Sequence, residues 1–325
     1  RLVGSEMCIR DRLLTRSSNE LIVQITMLTL SKIKKENGNF DDFSTPIVMG
    51  VLNVTTDSFY DGGKYNNLNS AIAHTQKMLD EGAYFIDIGV SSSKPGSLLI
   101  SPEEERNRLI PFLKVLLKEF PKTHFSLDTY NSLVAEESLD LGISMINDIS
   151  GGLIDPNILS VVGLHKVPYV IMHMKGIPKS MQDDIYYQNT VQEITYFFSK
   201  QIKKASSAGI NDIIIDPGFG FGKSKKNNFT LLKNLSYFEN LKCPILIGIS
   251  RKSMVYKTLG IGSDQSLNGT TALNAWGLDR GAKILRVHDV KEAKECIDLW
   301  FCLLYTSPSP RDVEESGVAG CGWKK

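Results

Sequence analysis

The sequence predicts an α/β fold of the (β/α)8 type, a single-domain parallel barrel wrapped in helices, on three observations. Eight short apolar runs alternate with longer stretches of helical period. The alternation fills about 255 residues, 46–300, which is the size of one such barrel. The turn after the first run, LNVTTDSF, lacks the G-x-G-x-x-G that a doubly wound nucleotide-binding sheet would carry there.

In order, the strands are 47–52 (IVMGVL), 84–88 (YFIDI), 124–127 (HFSL), 144–147 (SMIN), 168–172 (PYVIM), 212–215 (DIII), 244–249 (PILIGI) and 282–287 (AKILRV). The helices between them have proper ends. Ser101 is an N-cap, Pro102 takes the first helical position and Glu104 closes a capping box, after which Leu109, Ile110, Leu113, Leu116 and Leu117 line one face. Gly82 and Gly209 are placed to stop the helices before the second and sixth strands.

Lys plus Arg number 37 against 36 Asp plus Glu, a net charge of +1 that gives no bulk attraction to nucleic acid or an anionic membrane. Five cysteines with no CxxC spacing are neither a disulfide framework nor a zinc site, which suggests a reducing compartment. No run of 18 apolar residues exists, and 21–30 (LIVQITMLTL) is too short to span a bilayer. The expectation is a soluble cytoplasmic protein. The ends differ in composition from the rest. Residues 1–45 read as an N-terminal extension, with a native start at Met27, and 301–325 as a disordered tail rich in Ser, Pro and Gly. One choice of codons for 2–11, reverse-complemented and read in a shifted frame, encodes the LLYTSPSPR of 303–311, so 1–12 and the tail read as adapter-derived and stand outside the fold.

A barrel does its chemistry where strands end, and a polar residue follows every run. These are Asn53, then Ser91, Ser92, Ser93 and Lys94, then Asp128, Asn147 with Asp148, His173, Asp216, Ser250 with Arg251 and Lys252, and Arg286, His288 and Asp289. Arg251, Lys252 and Arg286 at adjacent strand ends point to an anion site. Asp216 to Ser224 (DPGFGFGKS) fails as a phosphate-cradling P-loop because position 217 is proline; its Phe219 and Phe221 suit a wall against a flat ligand. Asp128 and Asp216 offer acceptors to a planar N–H edge, with turn capping as the competing account for each. His74, His124 and His165 have no partner at metal-ligand spacing, and His173, in MHM, reads equally as packing or contact.

Taken together, MGVLNVTTDSFYDGG (49–63), DIG with SSSKPG (87–96), SLDT (126–129), INDISGG (146–152), MHMKG (172–176), DPGFGFGKS, GISRKS (248–253), NGTTA (268–272) and RVHDV (286–290) resemble, in order, the motifs of the dihydropteroate synthases, folate-pathway transferases of the pterin-binding barrel family. The resemblance covers 46–300. It implies condensation of 6-hydroxymethyl-7,8-dihydropterin diphosphate with 4-aminobenzoate, giving 7,8-dihydropteroate and pyrophosphate, and a sulfonamide target. Carried over by position, Asn53 would coordinate Mg2+ beside the diphosphate, which Arg286 and His288 would bind. Asp128, Asn147, Asp216 and Lys252 would hold the pterin, and Ser93, Lys94, Pro95, Phe221 and Ser250 would form the aminobenzoate pocket. Asp128, Lys252, Asp216 and Arg286 would carry catalysis. Where the family commonly has ESTRPG this chain has SSSKPG, so Lys94 keeps the charge and loses the planar fork of arginine. Thr56 stands where proline is usual. The partners implied are small molecules and a second copy of the chain, since barrels of this type commonly pair through outer helices. A pterin-dependent methyltransferase would have no use for the SRKS and RVHDV anion site. A non-catalytic pterin-binding homologue would have lost some of Asn53, Asp128, Asp216, Lys252 or Arg286, and none is missing.

Overall fold

A computed structural model of the chain describes residues 32–34, 40–42, 45–54, 64–90, 100–176 and 186–305. Two short strands, β1 (Lys32–Lys34) and β2 (Phe40–Asp42), pair antiparallel ahead of the barrel. Strand and helix then alternate. β3 (Ile47–Asn53) precedes α1 (Lys64–Asp80), β4 (Phe85–Gly89) precedes α2 (Pro102–Glu119), and β5 (His124–Asp128) precedes α3 (Ser132–Leu141). Next come β6 (Met145–Asp148) with α4 (Asn157–His165), β7 (Tyr169–Met172) with α5 (Thr190–Ser207), and β8 (Ile213–Asp216) with α6 (Lys225–Lys233) and a 3-10 turn (Leu235–Leu241). β9 (Ile245–Ile247) leads to α7 (Ser253–Leu259) and α8 (Leu267–Asp279), and β10 (Ala282–Val287) to α9 (Val290–Tyr305). The sheet closes in the order β10-β3-β4-β5-β6-β7-β8-β9, with every ladder parallel. This is the (β/α)8 barrel that the sequence predicts.

Two apolar layers hold it. Successive side chains of a strand point to opposite faces, so Val48, Ile86, Ile88, Leu127, Ile146, Ile171, Ile215 and Leu285 turn outward into one cluster with helix residues such as Leu109, Leu113, Val134, Ile158 and Phe198. Met49, Phe85, Met145, Val170, Ile214, Leu246 and Ile284 turn inward and form a separate cluster, the plug of the barrel. His124 extends it against Phe85, with ring centroids 5.7 Å apart.

The strand limits differ from expectation in a consistent direction. Five strands end one residue later than predicted, on Asn53, Gly89, Asp128, Asp148 and Asp216. The terminal residue, polar in four of the five, still belongs to the strand. β9 instead stops at Ile247, two residues early, ahead of a turn that the Lys252 amide closes onto the Ile249 carbonyl and in which Arg251 takes a left-handed φ of 55°. Ser101 caps α2 as expected, accepting from the Glu104 amide at 3.2 Å, but the Glu104 carboxylate engages Arg108 one turn on rather than closing a capping box. Gly82 and Gly209 end their helices with φ of 97° and 91°. α9 runs to Tyr305, past the compositional boundary at Trp300, since nothing in FCLLY breaks a helix before Pro308. Among the described residues no helix is long and apolar enough to cross a membrane.

Candidate active site

The residue two places beyond each plug residue faces the same way, one step nearer the C-terminal mouth. That step reads Val51 on β3, Asp87 on β4, Asn147 on β6, Met172 on β7, Asp216 on β8, Gly248 after β9 and Arg286 on β10. A polar, charged layer therefore rests directly on a dry apolar floor. Gly248 is the one position in it with no side chain. A Cβ there would lie 3.7 Å from Lys252 Nζ and 3.9 Å from Arg286 Cβ, so its absence leaves a slot between two cations.

Arg286 is the centre of the layer. Its Nε donates to Asp87 Oδ2 at 2.6 Å and its Nη2 to Asp128 Oδ2 at 2.8 Å, while Asn147 Nδ2 donates to the same Asp87 oxygen at 3.0 Å. Burial disfavours the guanidinium charge, but Asp87 and Asp128 more than offset this and hold the group above its ordinary pKa. Nη1 is left without a partner among the described residues. Asp128 is pushed up to about 7, chiefly by burial, with Arg286 opposing. Asn53 ends β3 in register with Gly89, and a Cβ on Gly89 would sit 3.2 Å from Asp128 Cβ, which places Asn53 beside this cluster on the same rim.

On the other side of the mouth Lys252 Nζ donates to the Phe219 carbonyl at 2.6 Å and lies 4.6 Å from the centre of the Phe221 ring. Burial lowers it to about 8, against the attraction of Asp216. Of the two accounts of Asp216, turn capping is the one seen directly. Its Oδ1 caps the glycine-rich turn through the Gly218 amide at 2.7 Å, and burial raises its pKa with Lys252 opposing. The GK pair of that loop has a structural use: Lys223 Nζ, wholly buried, donates to the carbonyls of His173 (3.0 Å), Gly218 (2.7 Å) and Phe221 (3.0 Å). Phe221 joins Tyr130, Ile149, Ile154, Met172 and Met174 in a small apolar wall.

The basic cluster at the last two strand ends is less cationic than expected. Arg251 forms a bidentate pair with Asp289, at 3.0 and 2.6 Å, so it is not a free cation. Ser250 Oγ accepts from the His288 amide at 3.3 Å and lies 3.0 Å from His288 Nδ1. A hydroxyl can accept twice, so Oγ either donates to Nδ1, which leaves the ring hydrogen on Nε2, or accepts from it. Burial, aided by Arg286 and Arg251, lowers His288 to about 4, so at neutral pH it is an uncharged ring rather than a cation. Ser250 thus supports His288. Asp148, which faces outward, is a loop anchor: it accepts from Ser150 N, Gly152 N and Tyr169 Oη at 2.6 to 2.7 Å. His173 is buried, packs edge-on against Phe197 at 4.9 Å and is held far below its usual pKa by burial, so packing is its role.

Ser93, Lys94 and Pro95 lie outside the described residues, as do Thr56 and Asp57. Sequence reasoning assigned nothing to Asp87 or Lys223. The signals were present: a single carboxylate inside an apolar strand, and a lysine following a run of glycines. Among the described residues no group of three His, Cys, Asp or Glu could hold a metal. Asn53 offers one amide oxygen, which fits a hard Mg2+ ion carried mainly by substrate phosphates and not a metal held in a protein cage.

Residues 49–288 match the family model described as pterin binding enzyme. The dihydropteroate synthase of Escherichia coli K12 is 41% identical over 258 residues, 79% of this chain and 91% of that protein. This chain belongs to the dihydropteroate synthase family. Solved members superpose closely. The Yersinia pestis dihydropteroate synthase, in a sulfonamide drug complex, gives a TM-score of 0.78 at 40% identity over 84% of this chain and 99% of that one. The Xanthomonas albilineans dihydropteroate synthase in complex with 7,8-dihydropteroate gives 0.74 at 33% identity over 85% and 100%. The chain is a transferase of folate biosynthesis, and its substrates are small molecules.

Proposed function

We propose that this barrel joins 6-hydroxymethyl-7,8-dihydropterin diphosphate to 4-aminobenzoate, releasing pyrophosphate and forming 7,8-dihydropteroate. The observation that carries the reading is one mouth in which Asp128, Asn147 and Asp216 face a glycine slot between Lys252 and Arg286. The planar donor edge of a pterin suits the carboxylates and the amide oxygen of Asn147. As the bond from the pterin methylene carbon to the diphosphate oxygen breaks, its electron pair leaves with pyrophosphate and positive charge develops on the ring. Asp128 and Asp216 stabilise that charge from below, while Arg286 through Nη1, His288 in its Nε2–H tautomer and the Lys252 ammonium meet the departing anion. The aminobenzoate nitrogen then forms the new bond and gives up a proton to solvent, with Phe221 lining its pocket and Ser93 and Lys94, by the family resemblance, completing it. Asn53 would hold Mg2+, which when bound neutralises phosphate charge.

The protein supplies no covalent nucleophile, so binding and electrostatics carry the rate. We read the chain as cytoplasmic and as pairing with a second copy of itself. Pyrophosphate release from the purified protein is expected to require both substrates; release without aminobenzoate at the full rate would sink the reading. Chelation with EDTA is expected to stop turnover, and added Mg2+ to restore it, with no change in Tm, because the protein offers the ion no cage of its own.

A further inference from the structure

We infer that Asp87, on β4, is a positioning residue for this reaction: it fixes Arg286 and Asn147 and touches neither substrate. The inference rests on the transferase reading above. β10 and β6 lie two strands away from β4 on opposite sides, yet side chains from both converge on the single oxygen Asp87 Oδ2, Arg286 Nε at 2.6 Å and Asn147 Nδ2 at 3.0 Å. Asp87 is 0% exposed while Asn147 and Arg286, of the same layer, keep 4% and 19%, so a ligand entering from the mouth meets Arg286 and Asn147 first. Its second oxygen, Oδ1, has no hydrogen-bond partner among the described residues. A buried carboxylate with one unpaired oxygen works against folding. A barrel that needed only stability would do better with an apolar residue there, as at Phe85 one layer down. What the acid supplies is direction. A guanidinium gripped at Nε and Nη2 by two acids from different strands has its plane fixed, and Nη1 is then held at one angle. Asn147 is likewise turned so that its Nδ2 points down and its Oδ1 up, toward the pterin edge.

The charged groups whose fields reach Arg286 or Asp128 are Asp87, Asp216, Lys252 and Glu105, with the outward-facing Asp148 acting on Asp128 from behind. Removing the Asp87 charge takes away repulsion on Asp128 and frees Arg286 to pair with it alone, and both effects lower the Asp128 pKa.

The test uses the full-length protein and its D87N and D87A variants, with folding followed by circular dichroism and melting. With wild-type pyrophosphate release established as dependent on both substrates, D87N is expected to fold and to lose about 100-fold in kcat/KM. The acid limb of its kcat/KM–pH profile is expected to move down by about one unit. In an Arg286→Ala background the same substitution is expected to cost less than tenfold, because a residue that acts chiefly through Arg286 then has only Asn147 left to position. A folded D87N with a wild-type rate and an unmoved acid limb overturns the inference. So does full additivity with Arg286→Ala. If D87N and D87A both fail to fold while Arg286→Ala folds, the carboxylate serves the barrel and not the arginine, which also overturns it. A wild-type protein that lacks the transferase activity would instead defeat the reading on which the inference rests.

Discussion

At the scale of single residues, two buried groups are poised near neutrality by the same cause acting on opposite charges. Burial pushes Asp128 up to about 7 and pulls Lys252 down to about 8. The proposed chemistry needs the first ionised and the second protonated, so both charges coexist over a narrow span. The expected kcat/KM profile is a bell whose acid limb lies near 7 and alkaline limb near 8, read as apparent values of a coupled cluster. Pyrophosphate release measured from about pH 5.5 to 9.5 checks it, and a flat profile would remove these groups from the mechanism. Lys252→Ala and Asp128→Asn are each expected to cut turnover by 100-fold or more with an unchanged far-ultraviolet spectrum. Most of these residues were legible as polar strand ends. Arg251 misled, because its partner Asp289 stands 38 positions away and the pairing forms only when β9 and β10 lie side by side. The partners of Asp87 were hidden for the same reason, standing 60 and 199 residues distant.

At the scale of elements, the loop after β8 is held by a buried ammonium where a P-loop would hold phosphate. Lys223 reaches back to the exit of β7 through the His173 carbonyl and pins two carbonyls of its own loop. Gly218 and Gly222 press against β7's exit so closely that a Cβ on either would overlap the backbone of His173 or Lys175. Lys223→Met leaves three carbonyls short of a donor and is expected to cost about 1–3 kcal/mol of stability. The loop carries Phe221, so KM for 4-aminobenzoate is expected to rise more than KM for the dihydropterin; equal rises would show that Phe221 is placed by something else. The spacing of glycines marked this segment as a special turn. It did not show which way Lys223 points, since a lysine beside glycines can serve a phosphate or a carbonyl and the choice belongs to the neighbouring strand.

Across the whole molecule, stability and chemistry occupy successive layers of the same strands, apolar below and charged above. Phe85→Ala empties part of the plug and is expected to cost about 3–5 kcal/mol. At this chain length that lowers Tm by roughly 10 °C. The variant's kcat below its melting range is expected to stay within about threefold of wild type, because the charged layer is tied together by its own bonds. A large loss of kcat in a folded variant would show that floor and site are not separable. The sequence by itself determined the barrel, its eight strands and the face on which polar side chains gather, because alternation, helix caps and strand-end residues are local features with local causes. Only the tertiary structure decided which acid meets which base. Closing the sheet converts strand neighbours far apart in the chain into contacts across an interior a few ångströms wide, and the choice between partners there is made by distance and burial, neither of which a linear sequence contains.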